Sequence, residues 1–350
     1  MLSSSKHGVG FFSGLRSRVQ PNRDASVGLD TRMSANGPGQ PGNVVSDAVT
    51  NVLTIDVEEY FHPNAMDAAV SPEQWEALPH RVEANTHRML DLLSEYGVRA
   101  TFFVLGWVAE RWPGLVKEIA RRNHEVACHG YAHRLVYKLG PAGFRDDVAR
   151  GKCVLEECLG APVTGFRAAS YSIIASTLWA LEILVEEGFT YDSSIFPIRH
   201  DLYGIPGFNR FPVTVRCAAG DIVEIPPSTV RVWGGNWPVA GGGYFRLLPY
   251  WVTSRSIRRI NTHDGYAAMV YVHPWEIDID QPRLGAKATS RFRQYTNLRA
   301  TEPRLRRLLS EFRFAPIAEV MSTITPTTIL DVAQLRRLAG HRAAMTDGQP

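Results

Sequence analysis

Two histidines of this sequence have the types and spacing needed to bind a metal ion. His129 and His133 lie four residues apart in the pattern His-Gly-Tyr-Ala-His, so both imidazoles can lie on one side of a helix or turn and reach one ion. The pattern is common by itself, and two unrelated surface histidines are the alternative interpretation. Joined to a carboxylate from elsewhere, the pair predicts a two-histidine, one-carboxylate site with positions open for water and substrate.

A segment in which three acids follow an apolar run could supply that carboxylate. Residues 52–55 predict a strand, and Asp56, Glu58 and Glu59 come directly after it. Strand side chains alternate between faces, so Asp56 and Glu58 share one face and Glu59 points to the other. Two carboxylates on one face are costly unless a cation or a proton separates their roles. We therefore expect Glu58 to be the metal ligand, with Glu59 as the alternative by adjacency.

Three further polar residues follow short apolar or β-branched runs. Arg167 could hold a catalytic carboxylate in its ionised form, or could be a surface arginine. Asp192 could cap a turn or support the residues that contact the ion. His273 ends the run 269–272 and could protonate a leaving group near neutral pH, although a lone histidine after a strand is more often structural.

The elements that must position these residues alternate between strands and helices. Short apolar runs predict strands near residues 52–55, 100–105, 125–128, 164–166 and 269–272. Amphipathic stretches between these runs predict helices, so the chain consists of βα units. Such units favour a parallel sheet or barrel whose site lies at the carboxyl ends of the strands. Clusters of Gly and Pro predict an irregular segment over residues 198–249.

The composition is that of a globular protein, with 45% hydrophobic and 21% charged residues and a net charge of +3. This charge is too small to indicate nucleic-acid binding, and the arginines from 291 to 307 predict a solvated helix face. Four cysteines without C-x-x-C spacing predict reduced thiols. Residues 1–50, rich in Ser, Gly and Pro, predict a disordered tail, and residues 323–350 a C-terminal tail. The lack of a signal-peptide pattern favours a cytoplasmic location.

In their order along the chain, these segments resemble the NodB-homology polysaccharide deacetylases, a carbohydrate esterase family with a distorted (β/α) barrel. The resemblance runs from about residue 51 to 314 and is closest to the branch associated with exosortase and PEP-CTERM exopolysaccharide clusters. The motifs that carry it lie at residues 56–62, 100–107, 191–197, 241–249 and 273–276. It implies one α/β catalytic domain over residues 51–322.

The resemblance also implies the reaction, which is the metal-assisted removal of N-acetyl groups from the amino sugars of a polysaccharide. One divalent cation, expected to be Zn²⁺, would be the cofactor. The general base, its bracing arginine, a supporting acid and the general acid would be Asp56, Arg167, Asp192 and His273. The metal ligands would be Glu58, His129 and His133. The substrate would be contacted by Ser170, Tyr171 and Trp275, with a backbone N–H near Ser170 or Tyr171 stabilising the oxyanion.

Three other functions stay open on sequence grounds. A non-haem Fe(II) oxygenase also uses two histidines and one carboxylate, but it gives His273 and Arg167 no role. A carbohydrate-binding protein without turnover would keep the same groove. An amidohydrolase acting on small amides such as allantoin would share the fold. The sequence selects neither the polymer, nor the metal, nor the oligomeric state.

Overall fold

The computed structural model describes residues 49–239 and 241–335. The tail predicted over residues 1–50 therefore lies outside the described residues, apart from its last two positions. Within the described part of the chain, no helix is both long enough and apolar enough to cross a membrane.

A sheet of ten strands forms the centre of the fold, and two further strands pair with each other in a separate hairpin. The sheet order is β10-β1-β2-β3-β4-β5-β7-β6-β12, with β11 also pairing with β1. Every pairing in the sheet is parallel except that of β6 with β7. The strands are β1 (Asn51–Val57), β2 (Thr101–Val104), β3 (Glu125–Cys128), β4 (Gly165–Phe166), β5 (Tyr191–Asp192), β6 (Val213–Arg216), β7 (Asp221–Glu224), β8 (Thr229–Val232), β9 (Gly235–Pro238), β10 (Met269–Val272), β11 (Phe314–Ala315) and β12 (Ile329–Asp331).

Helices connect most of the parallel strands, as the βα pattern predicts. The first of them ends before Gly97, whose φ of +62° is left-handed and favours glycine. The helices are α1 (Val82–Glu95), α2 (Gly106–Arg111), α3 (Pro113–Arg121), α4 (Val136–Leu159), α5 (Trp179–Glu186), α6 (Gly242–Leu247), α7 (Tyr250–Arg259), α8 (Ala288–Tyr295), α9 (Leu298–Glu311) and α10 (Ile317–Ser322).

The sheet curls, so that side chains from distant strands meet inside it. Val52 of β1, Phe103 of β2, Tyr191 of β5 and Met269 of β10 belong to one buried hydrophobic cluster. The backbone N–H of Met269 donates to the Ser228 hydroxyl at 2.7 Å, which joins β10 to the segment that follows β7. A curled, mainly parallel sheet with helices between its strands is the distorted (β/α) barrel that the sequence predicts, and this prediction is confirmed.

Two sequence predictions about the chain's organisation differ from the structure. The segment 198–249, predicted to be irregular, contains strands β6 to β9 and helix α6. These strands have only four residues each, so Gly and Pro at their ends dominate the local pattern. The C-terminal tail predicted from residue 323 contains β12, which pairs in parallel with β6, and Leu335 of this segment is buried. A three-residue edge strand is too short to leave a periodic signal.

Candidate active site

The polar side chains selected from the sequence meet where parallel strands end. Asp56 lies in β1 and Glu58 follows it, while His129 follows β3, Arg167 follows β4 and His273 follows β10. Strands β10, β1, β2, β3 and β4 are paired in parallel in that order. Their carboxyl ends therefore lie at the same end of the barrel, which is where barrels of this class carry their sites.

Three of these residues form a group that could hold a metal ion. The Glu58 Oε1 atom lies 3.3 Å from His129 Nε2 and 3.3 Å from His133 Nε2. All three residues are buried, and their ligand atoms lie within 4.8 Å of one another. His129 Nδ1 lies 2.7 Å from the Arg167 carbonyl oxygen, so Nδ1 carries the proton and Nε2 is left free to bind an ion. Two imidazoles and one carboxylate match the open, three-ligand sites of catalytic zinc.

A tight turn, rather than a helix, brings the two histidines together. Gly130 has a φ of +76° and His133 a φ of +49°. A Cβ atom at Gly130 would lie 2.6 Å from Asp147 Oδ2. The Asp147 carboxylate accepts hydrogen bonds from the backbone N–H groups of Tyr131 at 2.8 Å and Ala132 at 3.2 Å. Left-handed backbone and the close approach of Asp147 therefore explain a glycine at this position.

Glu59 lies outside the metal-binding group. Its Oε1 accepts hydrogen bonds from the backbone N–H groups of Arg81 at 2.8 Å and Val82 at 3.1 Å, at the start of α1. Burial raises the pKa of Glu59 to about 7, although these N–H groups oppose the shift. The alternation of strand side chains thus places Glu58 at the site and Glu59 at a helix N-terminus.

A buried ion pair stands next to the metal-binding group. Arg167 Nη1 donates to Asp56 Oδ1 at 2.6 Å and to the Thr54 hydroxyl at 2.7 Å. Its Nη2 donates to the Ser193 hydroxyl at 2.9 Å, and its guanidinium lies over the Phe103 ring at 4.1 Å. Arg167 is fully buried, and these contacts offset the free-energy cost of burying its charge. The Asp56 carboxylate is consequently held in one orientation.

The His273 ring lies close to both Asp56 and Glu58. Its Nε2 lies 3.6 Å from Glu58 Oε1 and 3.8 Å from Asp56 Oδ2, and its Nδ1 lies 3.0 Å from Glu276 Oε2. Burial lowers the pKa of His273, but Glu58, Glu276 and Asp56 outweigh burial and raise it to about 9. In the protein without a bound ion, the imidazole is therefore protonated near neutral pH and can donate a proton.

Sequence reasoning missed the two residues that hold His273. The Glu276 carboxylate accepts a hydrogen bond from the backbone N–H of His273 at 2.9 Å, and it also contacts Nδ1 of the His273 ring. Arg246 Nε in turn donates to Glu276 Oε1 at 2.7 Å. The i, i+3 spacing of His273 and Glu276 is that of a capping box and could have revealed the first contact. Arg246 comes from α6 and lies in the motif at residues 241–249, but nothing local assigns it this role.

Asp192 makes no hydrogen bond to Asp56, Glu58 or His273 among the described residues, and its place behind the catalytic groups stays a prediction. In β5, Tyr191 lies inside the barrel, and Ser193 just beyond the strand contacts Arg167. Strand alternation turns Asp192 to the other face. There it is paired in register with Glu224 of β7 and accepts a hydrogen bond from the Ser194 hydroxyl. Burial raises the pKa of Asp192 to about 6 and that of Glu224 well above its usual range.

A cavity of about 390 Å³ opens onto Asp56, Glu58 and His273. The three residues predicted to contact substrate, Ser170, Tyr171 and Trp275, all line it. The Tyr171 backbone N–H donates to the Ala168 carbonyl oxygen at 3.1 Å, so it is not the free N–H predicted for the oxyanion, and Ser170 remains the candidate. The Tyr171 hydroxyl is buried and has no hydrogen-bond partner in the described part of the chain. The far wall, which the sequence did not predict, includes Tyr203, Tyr244, Arg246, Tyr271 and Arg293.

Comparison with known families matches two segments of the chain, and Asp56 and Glu58 precede both of them. Residues 74–187 match the sequence model of the polysaccharide deacetylase family. Residues 193–322 match a family described as a domain of unknown function, DUF3473. His129, His133 and Arg167 fall in the first segment and His273 in the second. The second segment also supplies the far wall of the cavity.

Individual curated proteins match parts of the chain. The chain is 33% identical to a peptidoglycan-N-acetylglucosamine deacetylase of Bacillus cereus over 98 residues, which are 28% of this chain and 36% of that protein. It is 28% identical to a peptidoglycan deacetylase of Helicobacter pylori over 113 residues, 32% of this chain and 38% of that protein. The chain thus spans little more than a third of the length of these curated relatives.

The barrel is shared with a solved structure. The crystal structure of a Mycobacterium smegmatis protein described as a polysaccharide deacetylase superimposes with a TM-score of 0.53 at 20% identity, covering 83% of this chain and 97% of that chain. This likeness supports the fold, and the match over residues 74–187 supports the family. Over residues 74–187 the chain resembles the polysaccharide deacetylase family.

Proposed function

We propose that this protein is a metal-dependent hydrolase that removes N-acetyl groups from the amino sugars of a polysaccharide. The observation that carries the proposal is the convergence of three kinds of group on one cavity. Glu58, with the two histidines, offers a metal site. Asp56 is held beside it by a buried arginine, and a protonated His273 faces both acids. Amide hydrolysis needs an electrophile, a base and an acid, in that arrangement.

Glu58, His129 and His133 would hold the divalent cation, for which we propose Zn²⁺. Their donor set of two imidazole nitrogens and one carboxylate oxygen fits this ion and leaves further positions open. When bound, the cation would supply a Lewis acid that polarises the acetyl carbonyl and lowers the pKa of water in the site.

Asp56 is the proposed general base. Its Oδ1 is occupied by Arg167 at 2.6 Å, which leaves Oδ2, the oxygen that faces His273 at 3.8 Å, to accept the proton of the attacking water. The water oxygen forms a bond with the acetyl carbon as this proton leaves. Arg167 keeps the carboxylate oriented throughout, because its other hydrogen bonds fix the guanidinium.

His273 is the proposed general acid. Glu276 accepts the Nδ1 proton at 3.0 Å, which turns Nε2 towards the cavity. When the bond between the acetyl carbon and the sugar nitrogen breaks, Nε2–H donates its proton to that nitrogen. The products are acetate and a free amino sugar. The ring of His273 also stacks on Trp275 at 5.1 Å between centroids, with 25° between the planes, which limits its rotation.

The walls of the cavity are suited to a sugar. Trp275 and Tyr171 line the cavity with aromatic surface and carry a polar group each, Nε1 and the hydroxyl, that has no protein partner among the described residues. Buried N–H and O–H groups normally find a partner. Hydroxyl and acetamido groups of a bound sugar would supply these partners. Participation in exopolysaccharide biosynthesis, as the sequence resemblance predicts, is part of the proposal.

Acetate release tests the proposed function. The purified, zinc-loaded protein is incubated with N-acetylglucosamine oligomers and with the host exopolysaccharide, and acetate is measured with and without a chelator. We expect release that the chelator stops and zinc restores. The Asp56→Asn and His273→Ala proteins should retain zinc and lose on the order of 10² to 10⁴ in turnover, the usual contribution of a general base or acid. Normal turnover in either variant would contradict its assigned role.

The same assay separates the alternative functions. Release of acetate without O₂ excludes the Fe(II) oxygenase, and binding of oligosaccharide without release would favour a binding protein. Hydrolysis of allantoin or another small amide in place of the oligomers would favour the small-amide hydrolase. No feature of the described residues favours any of these over the deacetylase.

A further inference from the structure

Among the described residues, the arginine and carboxylate side chains that line the cavity are paired, with one exception. Asp56 is paired with Arg167, and Arg246 is paired with Glu276. Arg293, at the exposed end of the same wall, has no carboxylate within 4.0 Å among the described residues. The cavity therefore contains one guanidinium whose charge the described part of the chain does not neutralise.

Arg293 belongs to the arginine-rich run from 291 to 307 that the sequence suggested was a solvated helix face. Much of this run is engaged elsewhere. Arg304 donates to backbone carbonyls near the end of α6, Arg306 pairs with Glu95 and Glu302, and Arg307 pairs with Glu311. Among the arginines of the run, Arg293 alone lines the cavity in the described part of the chain.

The backbone at Arg293 is held in place by the buried guanidinium of Arg246. Arg246 Nη2 donates to the Arg293 carbonyl oxygen at 2.7 Å, and its Nη1 donates to the carbonyl oxygens of Gln294 at 3.1 Å and Thr296 at 2.9 Å. The Gln294 amide also donates to the Tyr60 carbonyl oxygen at 2.9 Å. The end of α8 is thus fixed against the barrel, so Arg293 projects from a rigid base.

The balance of charge in the cavity indicates which kind of ligand group Arg293 is suited to bind. Asp56 and Glu58 are the acids that line it; Arg167 neutralises the first, and the cation of the proposed function would more than neutralise the second. With Arg293 the cavity has an excess of positive charge. A concave site with one sign of charge attracts ligands of the other sign, and a planar guanidinium fork matches a carboxylate.

We propose that Arg293 binds a carboxylate of the substrate, so that the preferred polysaccharide carries an acidic sugar next to the N-acetylated one. This inference rests on the proposed deacetylase function and narrows its substrate class. A single guanidinium balances a single negative charge, which favours a uronic acid over a doubly charged phosphate. The DUF3473 segment, which contributes Arg293 and its support by Arg246, would then select the substrate as well as complete the barrel.

Two oligosaccharides that differ only in this carboxylate test the proposal. One alternates glucuronic acid with N-acetylglucosamine, and the other is the same oligosaccharide with its carboxyl groups reduced to alcohols. For the zinc-loaded full chain, kcat/KM for acetate release should be higher on the acidic oligosaccharide. In Arg293→Gln this preference should fall on the order of 10- to 100-fold, mainly through KM, since hydrogen bonds to charged groups contribute in this range. Arg291→Gln, an exposed arginine on the same helix, is the matched control and should keep the preference.

Binding provides a second measurement that does not depend on turnover. The affinity of the zinc-loaded Asp56→Asn protein for both oligosaccharides is measured by calorimetry, with and without the additional Arg293→Gln change. Equal affinity for the two oligosaccharides, or an equal loss on both in the Arg293 variant, would overturn the proposal. Failure to release acetate from any substrate would instead contradict the proposed function, and the binding result would still decide the role of Arg293.

Discussion

Glu58→Gln and Glu59→Gln form a matched pair that tests the metal site. The two residues are adjacent, both are buried, and the substitution removes the same charge from each. Only Glu58 lies with the histidines, its Oε1 being 3.3 Å from each Nε2. We therefore expect Glu58→Gln to weaken zinc binding and Glu59→Gln to leave it unchanged.

The size of the effect follows from the number of ligands. Glu58 is one of three protein ligands and the only anionic one, and a neutral carboxamide oxygen is a much weaker donor to a divalent cation. Loss of a group that merely orients a ligand already costs about 10- to 100-fold in metal affinity. The loss for Glu58→Gln should therefore be on the order of 100-fold or more, with part of the activity restored by excess zinc.

Glu59→Gln should behave differently because its contacts survive the change. The carboxamide oxygen of glutamine can accept the same hydrogen bonds from the N–H groups of Arg81 and Val82. Zinc affinity is measured by competition with a chelating dye, and turnover by acetate release. Loss of zinc in Glu59→Gln together with normal affinity in Glu58→Gln would refute the ligand assignment and the strand alternation on which it rests.

Two further predictions concern buried carboxylates. Glu58, Glu276 and Asp56 together raise the pKa of His273 to about 9. In Glu276→Gln the loss of one of these anions should lower that pKa, so activity should be lost at a lower pH on the alkaline side; an unchanged pH profile of kcat/KM would contradict this. In the Asp192 and Glu224 pair, folding raises both pKa values, so the pair favours the folded state at low pH; the Asp192 part of this contribution is lost between its usual pKa of 3.8 and about 6, and the Glu224 part as pH rises through its own raised pKa. Glu224→Gln removes the second titrating group, so its melting temperature should fall less than that of the wild type between pH 6 and 9, by roughly 2–4 °C for each kcal/mol retained. Parallel melting curves across this range would contradict the raised pKa of Glu224.

The segment of unknown function is an integral part of the barrel. It contains β6 to β11, and its strand β10 pairs with β1, directly beside the first acids of the site. His273 and Glu276 come from this segment, whereas Asp56, Glu58 and both histidines come from the chain before it. Neither part contains the whole site, so we expect truncation near residue 193 to abolish activity as well as folding.

The sequence alone determined the five strands β1 to β4 and β10 and the polar residues that follow them. The strands 125–128 and 269–272 were predicted with the bounds that the structure has, because apolar runs and their ends are local signals. The same holds for Glu58, whose face is fixed by the alternation of side chains along one strand, and for His129 and His133, whose spacing lies within one turn. In a parallel barrel, a polar residue directly after a strand arrives at the site whatever the neighbouring strands are.

The tertiary structure decided which residues support that site and which residues form the far wall of its cavity. Asp192 faces Glu224 because β5 pairs with β7, and no local pattern encodes that pairing. Arg246 reaches Glu276 from thirty positions away, and Arg293 reaches the cavity only because Arg246 holds the end of α8 against the barrel. These contacts depend on the order in which distant elements pack. A local sequence pattern has no access to that order, because it records only the neighbours of each residue along the chain.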